Sequence, residues 1–267
     1  MTAARLAFAH IQGRTRLMGQ YVPYPFHITQ PFYLDDALPG LATLYLQSSS
    51  GGVYRGDRLS LTLEAGEGAQ AMVTTQASTL VRNCGEAPAE TETHLRLEAG
   101  SRLLYQPDPM ILLPGADIVN TVMLTVPEDA VALCCDAYGF HDPAGGAARF
   151  RRLETRTVLQ RPDGRRLVSD RGVILGEEIG TSASPLGPFR AFGTVLLING
   201  DWADRARTIA AVEETGCIAG ASALPNAAGV ALRLLASETG ILARGLAAAC
   251  AAGFEAVFGR SPQPRRK

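Results

Sequence analysis

The stretch CCDAYGFHDP gathers Cys134, Cys135, Asp136, His141 and Asp142 within nine residues. Thiolate, imidazole and carboxylate are all competent ligands for borderline metals such as nickel or zinc. Adjacent residues of a strand point to opposite faces, so Cys134 and Cys135 cannot both turn to one ion without a bulge, and a buried structural thiol is the competing reading. Cys135, His141 and Asp142 are the candidates for holding a metal in transit. Energy separates the cases: a structural zinc site is worth ~10 to 16 kcal/mol, whereas a site that hands metal onward must release it, and a micromolar one amounts to about 8 kcal/mol. The alternative is a small metal-dependent hydrolase built on Cys134, Cys135, His141 and Asp142. The other histidines, His10, His27 and His94, are scattered and form no second cluster.

Three further motifs lose their chemistry in context. GEGAQA, from Gly66, fits the dinucleotide fingerprint G-x-G-x-x-A, but holding a pyrophosphate needs a helix N-terminus next, and MVTTQ follows instead. GTSASPLG is one glycine short of a nucleophile elbow and lacks a strand-to-helix setting. Eight arginines against three acids between Arg149 and Arg171 ride on an alternating hairpin pattern. That is a solvated or partner-facing strand surface rather than a groove-reading module.

The formal net charge of −1 supplies no long-range field that would gather nucleic acid or anionic lipid, so neither is expected as a partner. Five cysteines without CxxC spacing suit a reducing compartment. With Arg5 and Arg14 interrupting the start, no secretory signal is expected, and the chain reads as cytoplasmic. The most apolar late segment, 241–258, carries Arg244 and Glu255 and reads as a docked helix too polar to span a bilayer.

These residues are carried by β structure. LSLTLEAGEGAQAMVTTQ is echoed by LRLEAGSRLLYQ and, more faintly, by VMLTVPEDAVALCCD. Apolar residues alternate before each turn (Leu59, Leu61, Leu63; Leu95, Leu97; Val122, Leu124, Val126), which puts one face of each strand on a core. Copies about thirty residues apart predict stacked coils. The fold class expected is mainly β, a β-helix or layered β-solenoid, with two α-helices late in the chain. Pro162-Asp163-Gly164 predicts a hairpin. Asp201 is the expected N-cap of the first helix, and a second hairpin turns about Pro225 to Gly229. The last helix shows one stripe, Leu242, Leu246, Cys250, Phe254 and Val257. One domain is expected over 1–260, followed by a disordered basic tail, 261–267.

At this point SSSGGVYRGDRLSL, AMVTTQASTLVRNCG and LLYQPDPMILLPGADI stand in the order and spacing of the urease accessory protein UreD, also called UreH, and the chain resembles that family over nearly its whole length. The most specific residues are Gly51, Gly52, Gly56 and Asp57 with Thr74, Thr75 and Gln76, a structural or partner-binding motif; for the glycines, a turn needing positive φ is the favoured reading. The resemblance implies a stack of strands with a pair of helices. It also implies a non-catalytic scaffold that joins UreF and the GTPase UreG on apo-urease for nickel delivery, with no permanent cofactor and nickel at most in transit, through a polar interior passage. Many family members carry a Gly-Arg and a Gly-Glu where this chain reads GFHDPAGGAARF, so functions tied to those charges do not transfer. By analogy the final helix and tail would meet UreF.

Overall fold

The alternating leucines do line a core, in a computed structural model that describes residues 1–263 apart from 147 and 183. The first strands are β1 (Thr2–Ile11), β2 (Arg14–Tyr21), β3 (Phe26–Ile28) and β4 (Ala42–Ser48). The repeated units follow as β5 (Arg58–Ala65) and β6 (Gln70–Thr75), a short β7 (Leu80–Val81), then β8 (Ala89–Leu97) and β9 (Arg102–Gln106). Another short strand, β10 (Met110–Leu112), precedes β11 (Asp117–Thr125) and β12 (Val131–Phe140). The chain ends with β13 (Arg152–Gln160), β14 (Arg166–Leu175), β15 (Ala191–Ile198), α1 (Arg205–Glu213), β16 (Ile218–Ala223), β17 (Gly229–Ala236) and α2 (Thr239–Phe258).

Each repeated unit is an arch rather than a hairpin. Its first strand joins one sheet and its second joins the other, so successive units stack in parallel as about four turns of a β-solenoid. The first sheet runs β14-β13-β11-β8-β5-β1-β2, and the second runs β16-β17-β15-β12-β9-β6-β4-β3. Parallel pairing is in register: Leu63 lies beside Leu95, and Leu95 beside Leu124. The glycine turns of Gly66 to Gly68 and Gly100 make the corners, and Gly68 at φ +64° leads directly into β6, which removes the dinucleotide reading. The β13–β14 hairpin turns where Pro162 to Gly164 predicts it, and the β16–β17 hairpin turns at Pro225 to Ala227.

Both helices pack on the second sheet. Leu242, Leu246, Cys250 and Phe254 are buried against β12, β15 and β17 as the stripe predicts. Helix α2 has the length and hydropathy of a membrane span despite Arg244 and Glu255, so the expectation that it is too polar is corrected. Its apolarity serves the core it covers. It can lie so close to the sheet because Gly139 of β12 has no side chain, and a Cβ there would collide with Thr239 at the start of the helix. Of the tail expected over 261–267, residues 264–267 lie outside the described residues.

The cap of α1 also differs. Asp204, not Asp201, is the N-cap, accepting from the Arg207 amide at 2.9 Å. Burial of Trp202 holds the intervening loop and leaves Asp201 one turn outside, where it pairs with Arg205. Asp204→Ala should therefore lower stability by about 1 kcal/mol, and Asp201→Ala by less, as read from urea unfolding midpoints.

Candidate functional site

The space between the sheets is not uniformly apolar. One core lies towards one rim, around Leu6, Leu44, Leu63, Leu95, Leu103 and Leu124. A second lies at the other, around Val81, Leu112, Ile118, Phe150 and Leu153. Between them the inward positions turn polar, because register stacks like on like. Thr91 of β8 lies beside Asn120 of β11, and Asn120 beside Thr155 of β13. One step along, Thr93, Val122 and Thr157 align and lead to Asp170 of β14. The second sheet answers with Asp136 of β12, beside Thr194 of β15, beside Arg233 of β17.

A directional hydrogen-bond chain crosses this seam. Thr91 donates to Asn120 Oδ1 at 2.7 Å, and Asn120 Nδ2 donates to the Tyr138 hydroxyl at 2.7 Å. Tyr138 is thereby left to donate its own proton to the Asp136 carboxylate. Burial pushes the Tyr138, Tyr105 and Cys134 groups up, so all three keep their protons near neutrality. Asp136 faces the cavity yet is surrounded by protein. Desolvation, then the nearby Asp170, raises its carboxyl to about 6, against the opposing hydrogen bond from Tyr138.

Two cavities meet at this seam. One, of about 390 Å³, opens at Gln47, Gly51, Gly52 and Gln76. The other, about 660 Å³, opens on the far side at Ser222, Asp170 and Arg233, the last two joined at 2.6 Å across the gap between the sheets. Val122 and Asp136 line both. Each volume greatly exceeds what a single water needs, about 10–15 Å³.

The glycine motif builds the first mouth. Gly52 stands at φ +135° with the Leu80 carbonyl directly behind it, where a Cβ has no room. Arg82 holds the corner by donating Nε and Nη2 to the Gly51 carbonyl at 3.2 and 3.1 Å. Gly56, at φ +70°, sits in the adjoining turn, which Asp57 closes by accepting from the Tyr54 amide at 2.8 Å. Gln76 accepts from Gln47, whose Oε1 lies 2.5 Å from His27 Nδ1. Thr74 donates to the Gln106 carbonyl at 2.7 Å, and Thr75 Oγ1 accepts from the Asp108 amide at 2.8 Å.

The profile of the UreD urease accessory protein family matches residues 1–267. The chain belongs to the UreD family. It is 42% identical over 269 residues to urease accessory protein UreD 1 of Methylorubrum extorquens (strain PA1), covering 99% of this chain and 91% of that protein. UreD 1 of Bradyrhizobium sp. (strain BTAi1) is 39% identical, over 99% and 94% of the two chains. UreD 1 of Pseudomonas syringae pv. tomato (strain DC3000) is 32% identical, over 99% and 95%.

Within this UreD fold the sequence-predicted metal candidates do not converge. Cys134 faces the inter-sheet core, while Cys135 faces α2 and donates to the Pro107 carbonyl at 3.6 Å. His141 and Asp142 lie in the loop beyond β12, and six residues of extended chain separate Cys135 from His141 by roughly 20 Å. Asp142 Oδ1 caps its own loop by accepting from the Ala144 amide at 3.0 Å. Among the described residues no three His, Cys, Asp or Glu side chains are grouped to hold a metal. Sequence reasoning singled out Asp136 only as a member of that cluster and missed Thr91, Asn120, Asp170 and Arg233. The available signal was phase: Thr91 and Asn120 occupy inward positions in register with leucine, isoleucine and valine.

Two outcomes follow from this geometry. Gly52→Ala forces a non-glycine residue into the positive-φ region against a carbonyl and should cost about 1–3 kcal/mol, seen as a lowered urea midpoint. Asp136 is harder to ionise folded than unfolded, so between about pH 4 and 6 the native state binds more protons and stability falls as pH rises. In Asp136→Asn that fall should vanish, shifting the balance towards the variant by on the order of 3 kcal/mol across the window. Identical pH profiles for parent and variant in urea unfolding would refute the assignment.

Proposed function

We propose that this chain is a non-catalytic maturation factor that works with UreF and the GTPase UreG on apo-urease, and that nickel bound for urease passes between its two sheets. The observation carrying this reading is the polar seam: in a chain whose relatives are named urease accessory proteins, two cavities on opposite sides meet at one interior carboxylate. A borderline divalent ion accepts carboxylate, carbonyl and hydroxyl oxygens. Asp136 midway and Asp170 at the far mouth supply the carboxylates, with threonine hydroxyls between. Single carboxylates bind weakly, which suits onward movement. The dispersal of Cys134, Cys135, His141 and Asp142, and a Cys134 thiol kept protonated by burial, weigh against the hydrolase reading. A cytoplasmic location fits five buried cysteines that form no disulfide framework.

The test is urease activity and bound nickel in cells expressing apo-urease, UreE, UreF and UreG, with or without this chain. Both should rise only in its presence. Asp136→Ala should lower nickel loading by about tenfold or more while the chain still co-purifies with UreF, and Cys135→Ala with His141→Ala should leave loading near the parent level. Loading that is indifferent to the chain sinks the maturation reading; full loading with Asp136→Ala sinks the route alone.

A further inference from the structure

Five parallel strands, β13, β11, β8, β5 and β1, present the outer face of the first sheet, and both helices lie on the other sheet. Parallel sheets are ordinarily covered on both faces. Here Val119, Met123 and Val158 are half-buried outward residues with no helix over them, and Val173 beside them on the edge strand β14 is 47% exposed.

This bare face carries a built charge cluster. Glu154 points outward from β13 yet is only 2% exposed, because three guanidiniums roof it. Arg156 Nε donates to Oε1 at 2.7 Å, Arg171 Nε to the same oxygen at 2.8 Å, and Arg152 Nη1 to Oε2 at 3.2 Å. The carboxylate is covered rather than deep, and Arg156 and Arg171 hold its pKa below the usual range. Asp117 takes Arg152 Nε at 3.1 Å. Three cations thus share two carboxylates. Among the described residues Arg156 is engaged through Nε alone, which leaves both of its Nη groups as donors. Elsewhere on the face, Glu90 and Glu92 are already matched with Arg58 and His94.

From this cluster we infer that the outer face of the first sheet docks a protein partner through that partner's carboxylates, with Arg156 and Arg171 as anchors and Val173 beside them as the apolar contact. Glu154 holds the guanidiniums in place before contact, which lowers the ordering cost of binding, and arginine pairs with carboxylates bidentately. The face spans about five strands by eight to nine residues, about 700 Å², close to the ~800 Å² per partner of a stable complex. The inference rests on the maturation reading for its probe, apo-urease.

The experiment measures apo-urease binding to the full chain at two salt concentrations. Arg156→Glu with Arg171→Glu should weaken binding at least about tenfold and flatten its salt dependence. Val173→Trp, an exposed change to a β-compatible residue, should weaken it too, with the fold checked by circular dichroism, and this variant decides the matter if the double reversal fails to fold. Parent-like affinity and salt dependence in folded variants would overturn the docking face while leaving the maturation reading intact. A parent chain that does not bind apo-urease at all would overturn both.

Discussion

In-register parallel pairing is the constraint on which the molecule depends. When each coil returns to the same position above the last, a residue's character is repeated across the sheet instead of averaged out. Leucine stacked on leucine gives the apolar core near Leu63, Leu95 and Leu124. The same rule stacks Thr91 on Asn120 and Asn120 on Thr155. A slip of one residue would turn every inward side chain outward, so core and polar seam are set by one register and cannot be changed separately.

The seam is tolerable because its polar groups satisfy one another. A buried hydroxyl or amide without a partner costs ~1–3 kcal/mol, yet along the chain from Thr91 through Asn120 and Tyr138 to Asp136 each side chain donates to the next, towards the carboxylate. The seam's far end is handled differently. There Asp170 and Arg233, both substantially exposed, meet across the gap between sheet edges, and an exposed pair of this kind contributes little to stability. The interior end is therefore firmly organised and the mouth loosely so.

Much of this was legible in the sequence, for reasons that also explain what was not. Leu59, Leu61 and Leu63 announce a strand by period alone, and the turn residues between copies announce the arches. The final helix declares its buried stripe from Leu242 to Phe254. Local pattern cannot say which strands become neighbours, and the seam exists only through neighbours: Thr91, Asn120 and Thr155 lie far apart in the chain. The cysteine and histidine cluster is compact only in sequence, because proximity along an extended strand is distance in space. The cap was expected at Asp201, and the structure uses an aspartate three residues on. Only the burial of Trp202 between them chooses Asp204.

The two sheets also divide their outer faces in a way the register alone does not require. Helices cover the second sheet, where Cys135, Ala137 and Leu133 point outward and demand an apolar partner. The first sheet presents threonines, glutamates and arginines, with Val119, Met123, Val158 and Val173 among them. Its most buried outward charge, Glu154, contributes little that an apolar residue could not; what it adds is order among three long cationic side chains. An interior lined for small polar species and an exterior with arranged cations are independent consequences of alternation along the same strands. Strand β13 shows both: Thr155 and Thr157 face inward while Glu154 and Arg156 face out. Inner and outer character can therefore be set on opposite faces of one strand, with neither constraining the residues of the other.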